Sequence, residues 1–181
     1  MPGTVPGDGD EEALEYHCLD TSQPVVEQLW KEEALLARAL EALVPADVLN
    51  LKHGQQRYSQ LLNDAGATID DLMITRSIDQ SDDGRLMLVV NASRTDVDYA
   101  HMAARLPKGV RLQQSAARAL VALQGPAAAG IMARLSPEAA GLSFMTARAV
   151  KVGAFDCHVS RSGYTGEDGF DAVSAGNGDG Q

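Results

Sequence analysis

The amino-acid sequence predicts an α+β fold with a mixed, largely antiparallel sheet and packed helices. Two features of the sequence pattern support this class. Short apolar runs separated by turn residues fill the stretch 57–90, which is typical of strands joined by hairpins. Runs with apolar residues three and four positions apart lie on both sides of that stretch and are typical of helices packed along one face. Mixed strands and helices in which hairpins dominate indicate the α+β class.

The sequence of residues 1–45 predicts a disordered tail followed by a helix. Residues 1–23 are rich in Gly, Pro and acidic residues. They predict an acidic disordered tail, because they offer too little apolar surface to offset the entropy lost on ordering. Helical spacing of apolar residues begins after Pro24, which suits a first helical turn, and continues to Val44. Pro45 is predicted to end this helix.

The middle of the chain predicts three strands and a second helix. The strands are predicted at 57–62, 69–74 and 86–90, with turns at 63–66 and 82–84 between them. Ser93 to Asp96 predicts a capping box, with Asp in the usual Glu position. The helix that it starts is expected to run to Leu106.

The last part of the chain alternates strands with one Ala-rich helix. Strands are predicted at 110–113 and 119–124, and the helix is expected to start at Gly125-Pro126. A hairpin is predicted from 150–152 and 155–161, around Gly153-Ala154. Residues 174–181 predict a flexible polar tail. The folded domain is therefore expected to span 24–173.

Charge and composition argue against several classes of function. The formal net charge is −10, and residues 1–33 hold nine of the 25 acids but only one base. This balance argues against a nucleic-acid partner, which needs Lys and Arg to neutralise phosphates. No run approaches the roughly 20 apolar residues of a membrane span. We therefore expect neither nucleic acid nor membrane as a partner.

The cysteines indicate the compartment. Cys18 and Cys157 form no CxxC pair, which favours a reducing environment. Their neighbours His17 and His158 do not make them a metal site, since adjacent residues rarely converge on one ion. The N-terminal residues also lack a basic or Arg-rich targeting segment, so we expect a cytoplasmic protein.

An acid pair interrupts one predicted strand. Asp70 and Asp71 stand between Ile69 and Leu72, although a carboxylate is costly to bury unless something compensates for its lost hydration. Neighbouring strand residues point to opposite faces. The pattern therefore predicts that one of the two acids faces a pocket and is a candidate for chemistry.

Three segments together resemble the aminomethyltransferase (T protein) of the glycine cleavage system. They are Tyr58–Leu72, Val89–Ser93, and Leu123–Pro126 with Ser160–Phe170. The resemblance begins near residue 35 and runs to about 173, roughly the middle of a chain that is normally about twice this length. It implies a partial folate-binding domain of that family.

The resemblance also implies a cofactor, a partner and roles for five residues. The cofactor is tetrahydrofolate, and the partner is the lipoylated H protein that donates the aminomethyl group. Asp71 corresponds to the catalytic carboxylate. Tyr58, Asn91 and Tyr164 fall on folate-contact positions, and Asp171 stands where the family usually has Glu. Their alternative interpretations are a surface acid for Asp71, strand packing for the tyrosines and a turn cap for Asn91.

Parts of the family pattern have no counterpart here. They are the N-terminal segment that lines the folate channel, and everything after the glycine loop, including an arginine for the folate tail. Three functions are therefore compatible with the sequence. The first is aminomethyl transfer, either completed by a complementing chain or carried out by a protein that this sequence represents only in part. The second is a non-catalytic folate-binding or scaffold role, and the third is an inactive truncated fragment.

Overall fold

Nine strands and four α-helices account for most of the residues that the computed structural model describes, which are 16–20, 35–78, 84–114, 118–163 and 167–174. The strands are β1 (Tyr16–Asp20), β2 (Gln56–Leu62), β3 (Thr68–Arg76), β4 (Leu86–Val90), β5 (Arg111–Gln114), β6 (Leu120–Gln124), β7 (Thr146–Val152), β8 (Phe155–Arg161) and β9 (Gly169–Ser174). The helices are α1 (35–41), α2 (Thr95–Ala103), α3 (Ala128–Leu135) and α4 (Pro137–Ala140).

The strands form two antiparallel sheets. The first sheet has the order β2-β3-β4-β1-β5, and the second has the order β6-β9-β8-β7. Every pairing between neighbouring strands is antiparallel. The predicted α+β class with a largely antiparallel sheet is confirmed, as are the strands near 57–62, 69–74 and 86–90 and the hairpin around Gly153.

Each sheet has its own core. Leu36 and Leu40 of α1 pack with Ile74, Leu88 and the α2 residue Met102 on the first sheet. On the second sheet, side chains of α3 and α4 pack around Val159 and Phe170. These helices end up on the sheets because their apolar residues recur on one face, which is stable only when it is covered.

A third apolar cluster and a set of backbone bonds join the two sheets. Met73 and Val89 of the first sheet pack with Val173 of the second. The Ala147 N–H donates to the Gly54 carbonyl at 2.7 Å. Gly54 has φ +68°, and a Cβ there would lie 2.9 Å from the Ala147 oxygen. The close approach of these two backbone segments therefore requires glycine.

The predicted disorder of residues 1–23 is wrong for the part that the structure describes. Tyr16–Asp20 form β1, which lies between β4 and β5 and pairs with both. Main-chain bonds to two neighbouring edges supply the stabilisation that the composition of the segment does not. The remainder of the predicted tail, residues 24–34 of the first predicted helix, the turn residues 82–83 and the tail residues 175–181 lie outside the described residues.

The predicted capping box is also wrong. The chain leaves β4 through a 3₁₀ turn, Ala92–Arg94, and α2 begins at Thr95. Arg94 therefore occupies the N-cap position, with no side-chain cap bond, and Ser93 lies inside the preceding turn. Among the described residues, none of the helices is both long and apolar enough to cross a membrane.

Candidate active site

The order of the first three strands in the sheet brings three of the predicted site residues together. Tyr58 lies on β2 opposite Met73, Asp71 lies on β3 opposite Gln60, and Asn91 directly follows β4. Tyr58, Asp71 and Asn91 line one depression, and the apolar residues Met73 and Val89 are also part of its lining. Three segments that are separate in sequence therefore contribute an aromatic ring, a carboxylate and an amide to one place.

Asn91 holds both acids of the pair. Its Nδ2 donates to Asp71 Oδ1 at 2.6 Å and to Asp70 Oδ1 at 2.9 Å. Carboxylate oxygens only accept, so these two bonds use both hydrogens of the amide and leave its carbonyl oxygen for other partners. Asn91 is the N-cap residue of the 3₁₀ turn but makes no side-chain cap bond, so its alternative interpretation as a turn cap is wrong.

Asp70 and Asp71 were expected to face opposite sides of the strand, but both carboxylates accept from the same Asn91 amide. The pairing of β2 with β3 shifts register between Leu61 and Leu62, which pair with Asp70 and Thr68 and leave Ile69 extra. Such a bulge re-aims the side chains beside it. Both carboxylates therefore reach the one amide.

Tyr58 presents its ring to solvent beside Asp71. The residue is 51% exposed, so the alternative interpretation as buried strand packing does not describe it. Hydrogen bonding to the Asp71 carboxylate, together with partial burial, raises the pKa of the Tyr58 phenol. Because the phenol stays protonated, it can donate to the carboxylate while the ring face remains open.

A wider groove adjoins this depression and shares Tyr58 with it. Its lining includes Pro45, Asp47, Arg57 and Gln60. Arg57 and Asp47 therefore contribute charges of opposite sign to this groove. Two further arginines of the first-sheet region donate to the backbone: Arg76 to the Leu51 carbonyl at 2.8 Å, and Arg94 to the Ile69 carbonyl at 3.3 Å.

Asp98 is a residue of this region that the sequence interpretation missed. It lies on α2 and is completely buried, and neither of its carboxyl oxygens has a hydrogen-bond donor in the described structure. Burial, followed by the neighbouring Asp70 carboxyl group, with which Asp98 forms a hydrogen bond only as the protonated acid, raises the pKa of Asp98 to about 7. A signal was present in the sequence, because Thr95, Asp98 and Met102 have the spacing of one helix face and all three are buried.

Asp171 lies on β9 in the second sheet. Its carboxylate accepts from Ser162 Oγ at 2.6 Å and from Gln124 Nε2 at 3.5 Å. Burial raises the pKa of Asp171, and these two bonds oppose the rise. The contacts that the structure gives this carboxylate are thus internal to the second sheet.

Tyr164 lies outside the described residues, but the structure describes the residues on either side of it, up to Gly163 and from Glu167. Arg161, at the end of β8, donates from Nε to Asp168 at 2.9 Å and lies over the Phe170 ring, 5.3 Å from its centroid. It also donates to the Leu142 carbonyl at 2.8 Å. The base of the loop is therefore fixed by an ion pair and a cation–π contact. Among the described residues, no group of three or more His, Cys, Asp or Glu is placed to hold a metal ion.

Comparison with known proteins gives a consistent family. The model of the GCVT N-terminal domain matches residues 35–177. The chain is 36% identical over 138 residues to the aminomethyltransferase of Thermosynechococcus vestitus, covering 75% of this chain and 36% of that protein. It is 41% identical over 139 residues to the mitochondrial aminomethyltransferase of Pisum sativum, covering 73% of this chain and 33% of that protein.

A solved structure resembles the fold as well. The crystal structure of glycine cleavage system aminomethyltransferase T from Bartonella henselae superposes with a TM-score of 0.71 and 32% sequence identity. The match covers 89% of this chain and 39% of that one. The chain thus spans little more than a third of the length of these relatives.

Proposed function

This chain belongs to the family of the GCVT N-terminal domain, the aminomethyltransferases of glycine cleavage, and we propose that it carries the folate-binding and catalytic face of a tetrahydrofolate-dependent aminomethyl transfer. The donor is the lipoylated H protein, and the products are methylene-tetrahydrofolate and ammonia. The observation that supports this most directly is Asp71, fixed 2.6 Å from Asn91 beside the exposed ring of Tyr58. The chain spans about a third of its relatives' length, and a complementing chain that supplies further folate contacts is part of the proposal.

The first-sheet residues fit a folate ring. Its planar heteroaromatic head carries N–H donors, for which Asp71 and the free carbonyl of Asn91 are acceptors. The open face of Tyr58 offers a stacking surface. Arg57, in the adjoining groove, supplies positive charge for the anionic tail. Asp171 fits less well, because its carboxylate is engaged by Ser162 and Gln124.

The residues of this chain then have distinct chemical roles. Bound tetrahydrofolate supplies the amine nitrogen that accepts the one-carbon unit. Asp71 stabilises positive charge that develops on such an amine, and this effect is strongest where water is excluded. Asn91 fixes the orientation of the carboxylate through its 2.6 Å bond. The Tyr58 phenol is positioned to donate a hydrogen bond to the same carboxylate.

A second candidate function is folate binding without catalysis. It is favoured by the internal use of Asp171, whose carboxylate accepts from Ser162 and Gln124. Holding donor, acceptor and carboxylate in register is worth several kcal/mol, and a missing contact surface can remove that contribution while binding persists.

Calorimetric titration of the purified chain with tetrahydrofolate, beside its thermal unfolding curve, separates these functions. Saturable binding with a cooperative melt is the expected result, and turnover with aminomethylated H protein then distinguishes the enzyme from the binding protein. A cooperative melt without binding would overturn the proposal for this chain alone and would direct the assay to a complemented chain. If the chain shows neither tetrahydrofolate binding nor a cooperative melt, it is an inactive fragment.

A further inference from the structure

Three buried oxygens next to the candidate active site have no donor in the part of the chain that the structure describes. They are Asp70 Oδ2 and both carboxyl oxygens of Asp98. Asp98 is 0% exposed, so water does not reach it from the surface. Buried oxygens of this kind are costly unless hydrogen-bonded.

One proton satisfies two of these three oxygens. Two ionised carboxylates have no hydrogen with which to bond each other, and they repel when buried together. If one of the two is a carboxylic acid, it donates to the other and satisfies an oxygen on each side. The carboxyl pairs of several enzymes share a proton for the same reason.

The charged groups around Asp98 leave the proton on this residue. Asp70 and Asp71 face it from β3, and both raise its pKa, in addition to burial, which acts most strongly. Arg94, the cation that lowers its pKa, is directed to the Ile69 carbonyl. His101, one turn further along α2, bonds the Leu62 carbonyl at 3.0 Å.

We propose that Asp98 is a positioning residue that donates its carboxyl proton to Asp70 Oδ2, so that Asp70 stays in place as an acceptor for Asn91. Asn91 is then held by two acceptors, and its amide is fixed against Asp71. Loss of the Asp98 proton places a second charge beside Asp70 and loosens the amide. The consequence for ligand rests on the proposed function, whereas the shared proton does not.

The proton itself is tested without ligand. In the chain labelled with ¹³C at aspartate carboxyl carbons, one signal is expected to titrate near neutral pH, far above ordinary aspartate. The signal is assigned by its loss in Asp98→Asn and its retention in Asp96→Asn, an exposed acid on the same helix. If every carboxyl is ionised by pH 5, or if no high-titrating signal is lost in Asp98→Asn, the proposal is wrong.

Its effect on the site is tested by the pH dependence of tetrahydrofolate affinity. We expect wild-type affinity to fall about tenfold from pH 6 to pH 9, the equivalent of one pKa unit of coupling between proton and ligand. Asp98→Asn donates to Asp70 at every pH, so its affinity is expected to stay level, while Asp96→Asn follows wild type. Equal slopes in wild type and Asp98→Asn would overturn the positioning role. Absence of binding at any pH in all three chains would contradict the proposed function and, with it, this effect on the site, while the carboxyl titration would still decide the proton.

Discussion

Asp98 on α2 and Asp171 on β9 are both buried, 0% and 5% exposed, but they are satisfied in different ways. Asp171 accepts from Ser162 and Gln124, two neutral donors of its own sheet. Asp98 faces Asp70 and has no such donor in the described structure. A carboxylate surrounded by donors is part of the framework. One that faces another acid depends on a proton, and its surroundings therefore respond to pH.

The largest expected effect concerns the carboxylate nearest the ligand. Asp71→Asn keeps the size of the side chain but removes the charge that stabilises a cationic amine. Turnover with aminomethylated H protein is expected to fall about 100-fold or more, with an unchanged melting curve. Asp96→Asn serves as the control for loss of an acid. Undiminished turnover in Asp71→Asn would remove this residue from the catalytic role.

Asp98→Asn tests the acid without donors. The pKa of Asp98 in the folded protein is raised to about 7. The protonated Asp98 therefore contributes fully to the stability of the folded state below the pKa that this residue has in the unfolded chain. That contribution is lost as pH rises through about 7. The asparagine variant does not titrate, and it is expected to be more stable than wild type by about 4 kcal/mol at pH 8 and about equal at pH 4. Urea unfolding at the two pH values measures this difference. A constant difference between the proteins would contradict it.

Substitution of Asp171 tests the acid that has donors. Asp171→Ala leaves the buried Ser162 hydroxyl without its acceptor and is expected to cost about 1 to 2 kcal/mol of unfolding free energy. Asp171→Asn keeps an acceptor oxygen and should cost less. Urea midpoints rank the two variants. If both retain wild-type tetrahydrofolate affinity, Asp171 belongs to the framework, and a selective loss of affinity would return it to the ligand site.

The smallest expected effect concerns the arginines of the two sheets. Arg161 is held by Asp168 and by backbone carbonyls, whereas Arg57 lines the open groove beside Tyr58. Arg57→Gln is expected to weaken tetrahydrofolate binding about threefold, as for an exposed ion pair, and less so in high salt. Calorimetry at two salt concentrations measures this, with the exposed Arg38→Gln as the control. An equal loss in both variants would mean that only overall charge matters.

The features that the sequence predicted correctly are local. The hairpin strands β2, β3, β7 and β8 follow from turn residues and strand-forming runs that lie next to each other in the chain. The grouping of Tyr58, Asp71 and Asn91 follows from the family resemblance together with the adjacency of β2, β3 and β4.

The features that were missed depend on distant contacts. β1 is stabilised by pairing with strands far along the chain, so its own composition gave no signal. The joint approach of Asp70 and Asp71 to Asn91 depends on a bulge, which alternation alone does not reveal. Asp98 required knowledge of which face of α2 is buried, and the predicted start of that helix was displaced by the 3₁₀ turn.

The position of β1 has a consequence for how the protein assembles during its synthesis. Residues 16–20 leave the ribosome before either of their neighbours, since β4 ends at Val90 and β5 at Gln114. Contacts so distant in sequence form slowly, and until they form, the edge of β4 is open to other strands. Of these three strands, the one that is synthesised first is thus paired only after both of the others have been made.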